Sequence, residues 1–510
     1  MFLCLYFVYI FYIINMFKSS KITKIKNGSK YEMNGWIRVS IRGNAFERGK
    51  SHGFLLAKEI KEVFKMLDFN LMNNYGYNRE FFSETISELF KNQIKERYTE
   101  FFEEMQGIVI GANKGGTQVS LNDIILWNCY YSLDYMIGSF NDLINNNNIL
   151  RKKYGHLFKD NKLSIIKTSE GGAKEKCTAF IAVGNYTKDG KIVCGHNTFD
   201  DFLNSQYSNI MLYIKPIKGH SFIMQTSPGC ISSGSDFYIN SNGLICTETT
   251  IGGFQKFILK DPICCRIRKT IQYSNNFDDC IKFLKDGNGG DYANTWFFGD
   301  IKTNTIMSVE LGLEYININK KKNGYFIGYN APIDPQIRNL ECINTGYNDI
   351  RRHQGARRVR LTQLMEENKG KLDVIIGQKI LADHYDVYLN KINPCSRTCC
   401  SHYELDDRAF MSQVGRPLPY QPRGALDGIV CDSKLAKNIG LIARWGTSCG
   451  TPFNANDFCK RNIQWAEQKP YLIDRPHQPW TEFTIKKNIK RETKRKKSIK
   501  PKYTRRNKYK

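Results

Sequence analysis

Residues 177–202 read CTAFIAVGNYTKDGKIVCGHNTFDDF. Two short apolar runs, TAFIAVG and KIVCGH, are separated by Gly, Asn and Asp turn residues, a strand-like texture. Cys177 opens the first run. About twenty residues later come Gly195, His196, Asn197 and the adjacent aspartates Asp200 and Asp201. A cysteine that only fills a core needs no such company, whereas a cysteine acting as a nucleophile does. A thiol attacks poorly until something takes its proton. A neighbouring histidine, a helix N-terminus or the cysteine's own free α-amine would serve. An α-amine titrates at about 7.7–8.0, which suits a base near neutral pH. For Cys177 that route requires scission of the bond between Lys176 and Cys177.

Upstream, WIRVSIRG (36–43) alternates like a strand and leads into a helix whose apolar residues Leu55, Leu56, Ile60, Val63, Phe64 and Leu67 recur every three to four positions. Helical patterning extends to about residue 113 and resumes in LNDIILWNCYYSLDYM. Residues 139–170, with NDLINNNNILRKK, read as an exposed polar loop. Downstream of Cys177, IMLYIKP, FIMQTS, FYINSNGLICTETT, WFFGD and IMSVELG are strand-like, with helical segments at about 262–285 and 355–366. Strands meeting in antiparallel order, with helices in separate blocks, predict an α+β fold of layered sheets covered by helices.

The 177–202 stretch resembles the nucleophile region of the cysteine N-terminal-nucleophile (Ntn) hydrolases related to acyl-coenzyme A:isopenicillin N acyltransferase. Further stretches extend the resemblance in the same order: SPGCISSGSDFYINSNGLICTETTIGGF (227–254), NGGDYANTWFFGDIKTNTIMSVELGLE (288–314) and GARRVRLTQL (355–364). RGNAFERGKSHGFLLAKEI (42–60) and EEMQGIVIGANKG (103–115) resemble that family's pro-segment. The 227–254 stretch and LAKNIGLIARWG (435–446) also resemble the phospholipase B-like proteins, a sister group. The resemblance spans roughly residues 36–480. It implies a four-layer αββα sandwich with a helical N-terminal pro-segment (36–176), retained as a non-covalent small chain after autoproteolysis, and a catalytic chain (177–483). It further implies acyl transfer or amide hydrolysis of a small-molecule acyl substrate through an acyl-cysteine, with a lipid acyl hydrolase of the phospholipase B-like kind as the alternative. No cofactor is implied, although acyl-coenzyme A would fit as a co-substrate.

Residue by residue, Cys177 matches the nucleophile and Asp200 the aspartate that holds its amine. Asp201 remains a rival, because Thr198 and Phe199 both intervene after Asn197 where relatives usually show one residue. Asn240, three residues before Gly243, matches an oxyanion donor. Asn294 matches a second amide near the nucleophile, and Arg357 the arginine that points at the catalytic centre, where its charge would favour the thiolate. Related bile-acid hydrolases carry Arg where His196 stands, so His196 is either a charge at low pH or a structural residue. Lys176 replaces the glycine of the best-known relative, which predicts slower cleavage.

Of the 510 residues, 75 are Lys or Arg and 49 Asp or Glu, a net charge of +26. Half of that excess sits in residues 486–510, with fourteen Lys/Arg and one Glu. Residues 484–510 therefore read as a solvated tail for an anionic partner, a nucleic acid or a lipid surface, for import, or for solubility alone. Joined to an inactive scaffold, such a tail makes a non-enzymatic alternative. Residues 1–17, MFLCLYFVYIFYIINMF, are shorter than the ~20 apolar residues of a spanning helix and lack a basic start. A signal peptide, an anchor and a start at Met16 stay open, and with them the cellular location. PCSRTCCSH gathers Cys395, Cys399, Cys400 and His402. No second ligand pair at zinc spacing partners it, so a local disulfide or reduced thiols are expected there rather than metal. A P-loop and a strand-bound GxGxxG are both absent, which argues against nucleotide hydrolysis and dinucleotide redox chemistry.

Overall fold

The computed structural model describes residues 22–159, 162–163, 177–409 and 418–485. Lys176, the apolar segment 1–17 and the basic residues 486–510 lie outside these.

The chain opens with strands β1 (Thr23–Ile25), β2 (Gly28–Met33) and β3 (Trp36–Gly43). Helices α1 (Ala45–Leu55), α2 (Ala57–Tyr75), α3 (Arg79–Arg97), α4 (Thr99–Lys114), α5 (Leu121–Cys129), α6 (Leu133–Asn146) and α7 (Asn148–Tyr154) follow. Then come β4 (Cys177–Val183), β5 (Val193–Asp201), β6 (Ile210–Pro216), β7 (Phe222–Thr226), β8 (Phe237–Asn240) and β9 (Leu244–Thr250). Helices α8 (Ile263–Tyr273) and α9 (Phe277–Lys285) precede β10 (Asn294–Asp300), β11 (Thr305–Leu311), β12 (Ile316–Lys321) and β13 (Gly324–Gly328). The last elements used below are α10 (His353–Glu367), α11 (Val374–Leu381), β14 (Arg423–Ala425), β15 (Asp427–Asp432), β16 (Leu441–Trp445) and β17 (Thr481–Phe483).

Two sheets carry the architecture. Ten strands run in the order β1-β2-β3-β6-β7-β8-β9-β10-β11-β12, and a second sheet runs β13-β4-β5-β15-β16-β17, with β14 also paired to β5. Every pair in them is antiparallel except β3 with β6, which align Ile37 with Ile210. The period-2 alternation of β4 divides its side chains between two cores. Ala179, Ile181 and Val183 face the ten-stranded sheet and the main core. Phe180 and Ala182 face outward onto Leu361, Leu364 and Met365 of α10 and Ile380 and Leu381 of α11. Between the sheets, Phe297 of β10 stacks near Phe326 of β13 with ring centres 6.4 Å apart. On the far side of the large sheet, Arg268 of α8 lies 4.9 Å over the ring of Phe222. Helices therefore cover the outer face of each sheet.

The segment upstream of Cys177 is built into this body. Besides the β3–β6 pairing, α1 and α4 cross at glycines Gly49, Gly53, Gly107 and Gly111. A Cβ at Gly107 would stand 2.2 Å from the Phe46 carbonyl oxygen, and one at Gly49 would stand 2.0 Å from that of Glu104. These are backbone contacts that no rotamer can relieve, so the four-residue glycine spacing on both helices permits the close approach. Helix propensity alone would make Gly107→Ala stabilising by about 1 kcal/mol. Steric overlap reverses the sign, and a loss of about 1–3 kcal/mol is expected in urea denaturation.

The expected loop over 139–170 is instead helical through Tyr154. Phe140 and Ile144, one turn apart, are buried, as are Leu150 and Tyr154. The asparagine run that reads as a turn acts at a helix start: Asn147 Oδ1 accepts from the Ile149 and Leu150 N–H groups at 3.1 Å. All fifteen cysteines among the described residues are free thiols, so no disulfide forms within PCSRTCCSH. No helix among the described residues is long and apolar enough to cross a membrane.

Candidate active site

Cys177 is the first residue of β4 and is buried. Its backbone N–H donates to Asn330 Oδ1 at 3.3 Å, just past the end of β13. Asn330 has φ of +65°, a conformation asparagine tolerates better than most residues. Its side-chain amide donates to the Thr250 carbonyl at 2.9 Å, and its own carbonyl accepts from Gly252 at 3.0 Å. Asn330 thus ties the cysteine on one sheet to β9 on the other.

Arg357 lies on the second turn of α10 and is buried. One terminal nitrogen donates to the Cys177 carbonyl oxygen and to Thr178 Oγ1, the latter at 3.2 Å. The other donates to Asn330 Oδ1 at 2.8 Å and meets His353 Nδ1 at 2.9 Å. The planar fork of the guanidinium spans all of these at once, which a lysine could not do.

On the sulfur side sits Glu248 of β9, also buried. Cys177 Sγ donates toward Glu248 Oε1 at 3.9 Å, a long contact. With its amide turned so that the N–H₂ group meets its acceptors, Asn294 donates to Glu248 Oε2 at 2.9 Å and to the Ala293 carbonyl at 2.8 Å. The cysteine therefore lies between a buried cation and a buried carboxylate. Nearby, Thr250 Oγ1 donates to Tyr292 at 3.2 Å. Burial, with Asp236, Glu248 and Cys177 around it, pushes that phenol well up.

Of the residues expected from sequence, Cys177, Asn294 and Arg357 converge here. Asn240 does not. Its amide donates to the Ile271 carbonyl at 3.0 Å, and its oxygen accepts from Asn242 and Leu244. It holds the β8–β9 turn, at the opposite end of β9 from Glu248 and Thr250, and so corrects the expectation of an oxyanion donor. Asp200 is buried and accepts from the Ser205 hydroxyl. Asp201 is partly exposed, with Arg423 at 3.6 Å. The buried member of that pair is therefore Asp200. His196 lies between the sheets, 6.4 Å from the Phe237 ring. Burial pushes its pKa down to about 3, so the ring is neutral and supplies no charge to a thiolate. Lys176 lies outside the described residues.

Glu248, Asn330 and His353 escaped the sequence reading. Glu248 had a visible signal, an acid inside the otherwise uncharged strand LICTETT. His353 stands one helical turn before Arg357. Asn330 follows GYFIG as an ordinary turn asparagine and carries no signal of its own.

Residues 55–475 match the sequence model of the Phospholipase B family, which is most of the chain. The chain belongs to the phospholipase B family. Among curated relatives of this phospholipase B family member, the phospholipase B of Crotalus adamanteus is 26% identical over 243 residues, covering 42% of this chain and 41% of that protein. The putative phospholipase B-like 2 of Rattus norvegicus is 23% identical over 315 residues, 53% of each chain. An uncharacterized protein of Archaeoglobus fulgidus is 22% identical over 268 residues, 50% of this chain and 40% of its own. The chain thus spans about half the length, or less, of these curated relatives. A crystal structure of a mutant of the conjugated bile acid hydrolase from Clostridium perfringens aligns with 52% of this chain and 89% of its own. Its 11% identity and TM-score of 0.31 transfer nothing to this site. The family shown is the one that sequence resemblance placed second, after the isopenicillin N acyltransferases.

Proposed function

We propose that this chain is a cysteine hydrolase of the Ntn type, acting on acyl linkages through an acyl-cysteine at Cys177. One observation carries the reading. A buried cysteine at the first position of a strand has its backbone nitrogen held by Asn330, its carbonyl by Arg357, and a buried carboxylate–amide pair, Glu248 and Asn294, on its sulfur side. Two facing sheets with helices on both outer faces agree with the αββα layering of that class.

In the precursor the sulfur adds to the Lys176 carbonyl carbon while its proton passes to Glu248. Glu248 returns that proton to the Cys177 nitrogen as the C–N bond breaks and a thioester forms. Water hydrolyses that thioester, leaving a carboxylate on Lys176 and a free amine on Cys177. The upstream chain stays bound, because β3 pairs along its length with β6. In turnover the new amine, oriented by Asn330 Oδ1, takes the thiol proton. The sulfur adds to the substrate carbonyl, and Asn294 on the sulfur side supplies the oxyanion donor by turning one amide N–H away from Glu248 or the Ala293 carbonyl. The ammonium then protonates the leaving group, and water releases the acid.

Family membership supports an ester of a glycerophospholipid or lysophospholipid as the acyl source, alongside the acyl amide or acyl-coenzyme A thioester of the acyltransferase reading. Processed protein is to be assayed on lysophosphatidylcholine micelles and on a panel of soluble N-acyl amides. The expected result is turnover of at least one class, with a mass adduct equal to the acyl group on the fragment beginning at Cys177. Turnover without any adduct at Cys177 in rapid-quench samples would remove the mechanism.

A further inference from the structure

Away from the reacting cysteine, His384, Cys400, His402 and Cys449 offer four ligand atoms that all lie within 4.8 Å of one another. They come from three separate places: the residues after α11, the loop leading to β14, and the turn after β16. The two imidazoles face each other through Nε2, 3.1 Å apart. Cys400 Sγ lies 3.4 Å and Cys449 Sγ 3.5 Å from His402 Nε2. Two sulfurs at ~2.3 Å and two nitrogens at ~2.0–2.1 Å from one tetrahedral ion would stand about 3.3–3.8 Å apart. The two sulfur–nitrogen separations to His402 fall in that range, and the imidazole pair lies slightly below it.

The surroundings point the same way. Glu404 Oε1 lies 2.7 Å from His402 Nδ1. A proton on Nδ1 shared with that carboxylate leaves the Nε2 lone pair facing the cluster, the usual outer partner of a metal-bound histidine. The Thr451 backbone N–H donates to Cys449 Sγ at 3.4 Å, a contact suited to a thiolate. Cys400 and His402 are buried, while His384 and Cys449 are only partly so, which leaves a way in.

We propose that these four side chains bind one zinc ion in a closed Cys₂His₂ site. Four protein ligands leave no open position, so the ion holds structure rather than activating water. What it holds is the floor of the active site. Cys400 packs against Phe199 and Ala425, Phe199 lies beneath the Arg357 guanidinium at 5.2 Å, and Asn197 of β5 donates to the Cys399 carbonyl at 3.0 Å. The neighbouring Cys395 and Cys399 are not ligands. The site was hidden in the sequence because His384 and Cys449 lie 16 and 49 residues from Cys400, outside any short zinc spacing.

The test uses the full chain, purified with reductant and without chelator. About one zinc per chain is expected by plasma mass spectrometry, and cobalt(II) chloride added to stripped protein should give the intense visible bands of a tetrahedral thiolate site. Glu404→Gln, which keeps all four ligands, is expected to weaken zinc about 10- to 100-fold in a chelator competition. Cys400→Ser with Cys449→Ser should abolish binding, and the wild-type cobalt spectrum decides the matter even if that variant fails to fold. Absence of both zinc and tetrahedral cobalt bands would overturn the proposal, as would a Cys400–Cys449 disulfide on peptide mapping.

Discussion

Cys177→Ala is expected to lower turnover by at least ~10⁴-fold while the chain stays uncut and its melting temperature stays within about a degree of the parent. The magnitude follows from the proposed role. A nucleophile that forms the covalent intermediate has no substitute, and its loss elsewhere removes most of an enzyme's rate enhancement. The neutrality of the fold follows from the contacts. Arg357 and Asn330 bind the backbone carbonyl and N–H of residue 177, which alanine retains. The sulfur contact to Glu248 that alanine gives up is a long one. Cys177→Ser should process slowly, because a hydroxyl is a weaker nucleophile than a thiol. Intact mass under denaturing conditions reads processing, and turnover on the substrate that the parent hydrolyses reads catalysis. A Cys177→Ala protein that hydrolyses this substrate at the parent rate would place the chemistry at another residue. A Cys177→Ser protein that splits as fast as the parent would assign the cut to another agent.

What the residue pattern made legible was the part governed by periodicity. The short apolar run TAFIAVG read as a strand, which the structure buries on both faces, and the three- and four-residue apolar spacing from Leu55 to Leu67 read as helix, which the structure divides at Leu56 between the end of α1 and α2. Residues 139–154 were misread because asparagine favours turns and helix caps alike, and only burial of Phe140, Ile144, Leu150 and Tyr154 separates the two. Within the site, Cys177 and Arg357 stood in long matching stretches. Asn240 stood in one as well, yet its amide holds a turn. Glu248 and Asn330 acquire meaning only when β9 and the end of β13 are brought together across two sheets, a long-range contact that a linear pattern does not encode. The His384–Cys449 cluster failed to show for the same reason.

The largest expected effect on stability lies at Glu104, far from the chemistry. Glu104 is buried on α4 between Arg48 of α1 and Arg268 of α8. Its carboxylate accepts from Arg48 Nε at 2.6 Å and from Arg268 Nη2 at 2.9 Å. Glu100 Oε1 takes Arg48 Nη2 at 2.7 Å, so two cations face two anions. Burial works against the Glu104 charge, but Arg268 and then Arg48 outweigh it and hold the carboxyl below its usual value of 4.5. The two guanidinium groups respond differently. Burial lowers both, yet Glu104 and Glu100 more than offset it at Arg48, whereas at Arg268 burial prevails. Both stay charged at physiological pH. Glu104→Gln would therefore leave a buried excess of positive charge, a loss of about 3–5 kcal/mol. With an unfolding entropy on the order of 1 kcal/mol/K for a chain of this length, the melting temperature should fall by about 3–5 °C. The pH dependence gives the sign. A carboxyl with a depressed folded pKa contributes stability that is fully present above its unfolded value of about 4.5 and is shed as the pH falls through the lower folded value. The gap between parent and Glu104→Gln should thus hold from pH 7 down to about 4.5 and close below it, because protonating the parent reproduces the variant. A gap unchanged into strong acid would mean that glutamine's shape, rather than the missing charge, is responsible.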